Sequence, residues 1–280
     1  MDNMGGSAPP PPPPPPPESG GTGGGFAPKG IGEILSTAFG LYKDNAAQLL
    51  TIAAIVVVPL TLLQALIVSE WLDDFGETFD PATGEFSSGF FSGLIVIAAS
   101  AVIGYLIQQL LTGALTRGAA GSLVNRDVDV AASYRYAFSR LGGLIVLSLL
   151  FAIIVAIGFA LLIIPGIILG VFLSMAIPAF IVERRSATDS LSRSWNLVSG
   201  SWWHAFGTIV IAGILAGIVN AIITAIGGDT FIGAWITGAI ASIITAPFVA
   251  LVGIVLYVDL RARREGLDAA TLSRELDSPA

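Results

Sequence analysis

The residues able to do chemistry are few in this chain. The stretch Ser192–Gly207, SRSWNLVSGSWWHAFG, holds three of the five tryptophans and the one histidine, His204. An imidazole is the commonest general acid–base near neutral pH. It would need a nucleophile or a paired carboxylate in support, and the sequence supplies no Ser–His–Asp pattern and no paired-carboxylate motif. A metal would need several donors. With no cysteine and no second histidine, those donors would have to be carboxylates, and none clusters near His204 in sequence. The stretch therefore reads as an anchor. Trp202 and Trp203 fall where an apolar span begins, at the depth that amphipathic rings prefer in a membrane. No catalytic, cofactor-binding or metal-ligating residue is assigned, and no cofactor is expected.

Other polar groups among the apolar residues are Gln64, Gln108, Gln109, Asn220 and Thr224. Gln64, Gln108 and Asn220 could line a path for a small solute or a lipid headgroup. Hydrogen bonding between helices is the simpler use of such amides in lipid. The spans hold no Asp, Glu, Lys or Arg before Glu183 at the end of the fourth, which argues against proton relays and ion coupling. Glu70, Asp73, Asp74, Glu77, Asp80 and Glu85 form an acidic stretch without the residue order of an EF-hand calcium loop. A solvated loop is expected there.

These residues must be positioned by membrane-spanning helices. Hydrophobic residues make up 54% of the chain and charged residues 12%, with a mean hydropathy of +0.82. A soluble domain is about one-quarter charged. Six apolar spans are expected at 46–69, 92–116, 142–164, 166–183, 204–226 and 231–258. Each can cross a hydrocarbon core of about 30 Å. The third and fourth form one run divided by IIPGII, where Pro165 and Gly166 predict a tight hairpin. Residues 1–28, with nine consecutive prolines at Pro9–Pro17 and a glycine-rich stretch, predict a disordered tail and no signal peptide. Residues 269–280 read as a second tail.

All thirteen Lys and Arg residues fall on alternate connections and at the termini, and the other connections have none. The positive-inside rule then puts both termini in the cytoplasm of a bacterial inner membrane. The net charge of −7 divides into an acidic outer loop and a basic inner face suited to anionic lipid.

A repeat is visible ahead of each odd-numbered span. Ile31, Leu35, Phe39 and Tyr42 have the spacing of Val130, Tyr134, Phe138 and Leu141, and of Ala187, Leu191, Trp195 and Val198. The i, i+4, i+8, i+11 pattern is a helical stripe. Phe39, Phe138 and Trp195 are its central aromatics, preceded by the small residues Ala38, Ala137 and Ser194. Ser186 and Asp189 suggest a capping box at the third copy. The expected fold class is an all-α integral membrane protein: three parallel repeats, each a cytoplasmic interfacial amphipathic helix followed by two spans. Gly166, Gly170 and Ser174, and Gly213 and Gly217, mark faces suited to close helix packing.

The closing segment LYVDLRARREGLD (Leu256–Asp268) resembles the end of the glycerophosphoryl diester phosphodiesterase membrane-domain family. IGEILSTAFGLYKDN, SLSRSWNLVSGSWWHAFG and LLIIPGIILGVFLSMAIPAFIVE are similar to its other recurrent segments. The resemblance covers residues 29–268 and implies the membrane part alone, without the soluble catalytic barrel that some members carry. Asp259 within it is a candidate to pair with Arg193 or Arg261. The function expected is a non-enzymatic scaffold or accessory protein organising lipids or partner proteins. The alternative is a channel or transporter for a small or lipid-like solute. Expected partners are membrane lipids and a membrane protein, of this or another chain, and not nucleic acid.

Overall fold

The computed structural model describes residues 26–75, 79–80, 85–86, 88–227 and 230–277; the side chains of residues 64–94, 97 and 231 lie outside it. The proline tract, the acidic side chains of the connection between the first two spans and the side chain of Gln64 are therefore outside the described residues.

In chain order the helices are α1 (Ile31–Asp44), α2 (Ala46–Phe75), α3 (Ser88–Ser122), α4 (Val130–Ser139), α5 (Leu141–Leu161), α6 (Ile163–Leu173) and α7 (Ala176–Val182). They continue as α8 (Ala187–Val198), α9 (Trp202–Ile226), α10 (Phe231–Glu265) and α11 (Ala269–Asp277). Between α2 and α3, Phe79–Asp80 (β1) and Glu85–Phe86 (β2) pair antiparallel. Among the described residues six helical stretches are long and apolar enough to cross a membrane. They are Ala46–Leu63, Ala98–Ser122, Leu141–Leu161, Ile163–Val182, Trp202–Ile226 and Ile232–Glu265. This is a multi-pass helical membrane protein.

Three helices outrun the expected spans, α2 by reaching Phe75. α3 continues past Arg117 to Ser122, and α10 continues to Glu265. At 1.5 Å per residue the 35 residues of α10 extend about 52 Å, well beyond a hydrocarbon core of about 30 Å. α10 is also the hub of the packing, against α1, α2, α3 and α9. Its Leu251, Ile254, Leu256, Tyr257 and Leu260 are fully buried.

The expected hairpin breaks three residues early. Leu162 is extended (φ −165°, ψ 155°) and separates α5 from α6, while Pro165 sits in the first turn of α6. There its missing N–H is one that a helix start leaves unpaired anyway. A Cβ on Gly158 would lie 2.9 Å from Gly166 Cα, so the two glycines let α5 and α6 close on each other. The fourth span is itself broken between α6 and α7. Pro178 has no N–H to offer the Ser174 carbonyl, and Ser194 of α8 serves two other backbone groups at the break. Its Oγ accepts from Met175 N at 3.0 Å and donates to the Phe172 carbonyl at 2.7 Å.

α1, α4 and α8 each stand just before a span, where the repeat predicts helices. Asp129 caps α4 through Ala132 N (2.9 Å) and Ser186 caps α8 through Asp189 N (3.2 Å). Within the stripe Leu191 and Val198 are buried and Leu35, Tyr42, Val130 and Tyr134 pack on the core, while the central aromatics turn outward. The small residues Ala38, Ala137 and Ser194 are each at 0% exposure, while Phe39, Phe138 and Trp195 are 54%, 70% and 43% exposed. The reason is physical. An apolar side chain gains little by exchanging lipid for protein, so small residues that allow close backbone approach take the inward positions. A Cβ on Gly113 of α3 would lie 3.1 Å from Ala137 Cβ. By contrast, added Cβ atoms at Gly170, Gly213 and Gly217 would meet nothing within 4 Å, so among the described residues these glycines mark no close approach of another span.

Packed segments lie within both expected tails. Phe26 donates its N–H to the Leu267 carbonyl at 3.1 Å, and Lys29 N donates to Asp259 Oδ1 at 2.6 Å. At the other end, α11 docks through the buried Leu272 and Leu276.

Candidate functional site

The chemistry-bearing side chains gather where α3, α7, α8, α10 and α11 meet. Tyr257, Arg261 and Glu265 recur every four residues and so share one face of α10. Glu183, just past α7, is the centre of this group. Its carboxylate accepts from Arg193 Nε at 2.8 Å, from Arg185 Nε at 2.6 Å and from the Tyr257 hydroxyl. Arg193 also pairs with Glu265, and Arg261 grips Glu275 of α11 in a bidentate pair at 2.6 and 2.9 Å. Burial alone would raise the Glu183 carboxyl. The hydrogen bonds from Tyr257, Arg193 and Arg185, with the charge of Arg261, hold it below the usual carboxylate range. Burial likewise works against the Arg193 charge, and its two carboxylates outweigh that and raise it. The network is a clamp that ties α8, α10 and α11 to the end of α7.

Asp259 lies on a different side of α10 and does not pair with Arg193 or Arg261. Two residues along a helix place side chains about 200° apart, whereas four place them together. Asp259 therefore meets Arg263 at 2.7 Å. Its Oδ2 also lies 3.1 Å from His204 Nε2, and its side chain is 1% exposed. His204 thus has the orienting half of a catalytic dyad. The Thr208 hydroxyl, one turn on, bonds the His204 backbone carbonyl at 2.8 Å and not the ring. The described residues hold no group of three or more His, Cys, Asp or Glu side chains placed to bind a metal. The His204–Asp259 pair closes the start of α9 onto α10 and onto the segment before α1. No local pattern foretold it, since 55 positions separate the partners.

A second cluster is built of arginines without carboxylates. Arg117 of α3 and Arg184 both stack on the Tyr136 ring, with guanidinium carbons 4.7 and 5.3 Å from its centroid. The Nη2 atoms of both approach the Leu276 carbonyl, at 2.6 and 3.4 Å. Arg140 stacks on Phe180 at 4.4 Å and donates to the Arg185 carbonyl. Arg117 Nη1, Arg140 Nε and both Nε and Nη1 of Arg184 are buried without an acceptor. A buried unpaired donor costs about 1–3 kcal/mol, more when charged. Beside the cluster opens a cavity of about 520 Å³, lined by Arg117, Arg126, Asp127, Asp129, Arg135 and Tyr136 among others.

The residues singled out from sequence divide among separate surfaces. Trp195 stacks on Phe172 at 4.1 Å, and Trp202 on Phe206 at 5.0 Å. Trp203, 76% exposed, stands edge-on to both Trp202 and Phe206. Phe172, Trp202, Trp203 and Phe206 form an open apolar groove with Ile164, Ile167 and Ile168. Phe39 lines another with Tyr42, Leu215 and Phe248, and Lys43 Nζ sits 5.1 Å over its ring. Gln108 is exposed on a groove shared with Thr112, Ser174 and Thr245. Asn220 is on α9, which packs on α10, α1 and α6, and so belongs to another side of the bundle. Gln109, its neighbour, is the buried amide and accepts from Ser148 Oγ at 2.6 Å.

Compared with protein-family models, with characterised proteins and with solved structures, the chain matches none.

Proposed function

We propose that the chain is a non-enzymatic scaffold of a bacterial inner membrane, with both termini cytoplasmic, that organises lipid around its basic end. The observation that carries this reading is the shared construction of α1, α4 and α8. Each seats a fully buried small residue against the bundle and turns the following aromatic outward. In the three-repeat reading these helices lie at the cytoplasmic interface, where an outward aromatic meets the headgroup zone. The arginines collected at the same end favour anionic lipid, each basic residue near the surface adding about 1 kcal/mol. Glu183, Glu265, Glu275 and Asp259 at that end are each engaged with arginines, which suits a rigid support for the three helices.

The test is reconstitution of the full chain in vesicles of phosphatidylglycerol and phosphatidylcholine, with retained lipid read by native mass spectrometry. Phosphatidylglycerol should be enriched over the bulk. Phe138→Asp should reduce retained lipid more than Phe138→Ala, because it adds a charge where an exposed ring would meet lipid. Solute flux through the wild-type protein that Gln108→Leu abolishes would replace the scaffold by a channel.

A further inference from the structure

We propose that Arg117 and Arg184 form a binding site for a phosphoryl oxyanion, reached through the cavity on whose wall Arg117 lies. It deepens the scaffold reading, and rests on it only for a lipid headgroup as the source of the phosphate.

Two guanidiniums converge on one carbonyl oxygen, that of Leu276, and on one ring, that of Tyr136. Like charges so placed repel unless a negative charge joins them. Among the described residues no carboxylate lies within 4 Å of either, while Arg126, Arg185, Arg193, Arg261 and Arg263 each have one. Three of their nitrogens, Arg117 Nη1 and Arg184 Nε and Nη1, are buried and unpaired. The planar fork of arginine matches two oxygens of a phosphate, and such charge-assisted pairs are strong.

The backbone points the same way. Arg184 has φ 55°, a left-handed conformation that an L-residue with a long side chain adopts only against strain. Strain held at one residue marks a position over-determined by its surroundings, a recurrent property of ligand clamps. The cavity of about 520 Å³ has the size of a small-ligand site. Asp127 and Asp129 line it too, and Asp129 is occupied as the cap of α4.

The test uses the full-length protein in a non-ionic detergent and reads the ligand-dependent rise of its thermal unfolding midpoint. The probes are dioleoyl phosphatidylglycerol, dioleoylglycerol (the same chains without phosphate) and inorganic phosphate against chloride. A phosphate-bearing probe should stabilise the wild-type protein where dioleoylglycerol and chloride do not. Arg117→Gln and Arg184→Gly should each weaken the apparent affinity at least tenfold, and the exposed Arg264→Gln should not. A response to phosphatidylglycerol alone identifies a headgroup as the source; a response to inorganic phosphate identifies a free anion.

Arg184→Gly also removes the strained φ, so its ligand-free midpoint should equal or exceed that of the wild-type protein. Loss of the ligand response in that variant is thus separable from misfolding. Equal responses to dioleoylglycerol, unchanged affinity in both arginine variants, or no response to either phosphate probe overturns the site. Should that happen while Phe138→Asp still sheds phosphatidylglycerol, the scaffold reading stands without it.

Discussion

Ser194→Ala offers a sharp test of how the fourth span is held. The Ser194 hydroxyl is fully buried and serves two backbone groups at the α6–α7 break: it accepts from Met175 N and donates to the Phe172 carbonyl. Alanine keeps the small side chain that the position needs, as Ala38 and Ala137 show at the matching places. It leaves both backbone groups without that partner. Each orphaned group costs about 1–3 kcal/mol, so the substitution should destabilise the break by about 2–4 kcal/mol after partial relaxation. At tenfold per 1.4 kcal/mol this is roughly a 30- to 700-fold rise in local opening. Hydrogen exchange at Met175, read on the full chain in detergent, measures it directly. Ser190→Ala is the control on the same helix. Ser190 is equally buried, but its hydroxyl donates to the Ser186 carbonyl one turn back, which also accepts Ser190 N. Its loss should change exchange at Met175 less than threefold. If Ser194→Ala is as silent as Ser190→Ala, the hydroxyl does not hold the break and the account of the span is wrong.

Other expectations follow from the same geometry. Asp259→Ala removes the acceptor of Lys29 N, Arg263 and His204 together. It should open residues 26–30 to protease, whereas His204→Ala, which leaves Asp259 two partners, should cost only about 1 kcal/mol in thermal stability. The Glu183 carboxyl is depressed from 4.5, so its contribution is fully present above that value. As pH falls through the lowered folded value that contribution is lost. Attachment of α8, followed by protease access near Arg193, should therefore weaken only on acidification below about pH 4.5, and Glu183→Gln should flatten the profile. Leu162 is 68% exposed at the α5–α6 turn. A cysteine there should react with an impermeant thiol reagent added outside the cell, while one at Ser139 should react only after the membrane is opened. The reverse pattern would invert the proposed orientation.

The sequence determined by itself that the chain fills a membrane and in what order its helices run. Those are properties of composition and local period: runs of apolar residues have one stable solvent, and prolines and capping residues act within a turn of where they stand. The same locality made α1, α4 and α8 legible as helices, and the caps at Asp129 and Ser186 with them. It left open whether their central aromatics face the bundle or turn away from it. Burial of Ala38 in place of Phe39 is decided by the neighbouring helix, because in lipid the competition is for close packing and not for escape from water. Only the tertiary structure paired Asp259 with Arg263 and His204, brought Ser194 to the break in another helix, and set Arg117 beside Arg184 on one tyrosine. These partners lie 19 to 67 residues apart, apart from the Asp259–Arg263 pair on one helical face. A charge or hydroxyl in a sequence states what it needs. Where the chain folds back decides whether it is met.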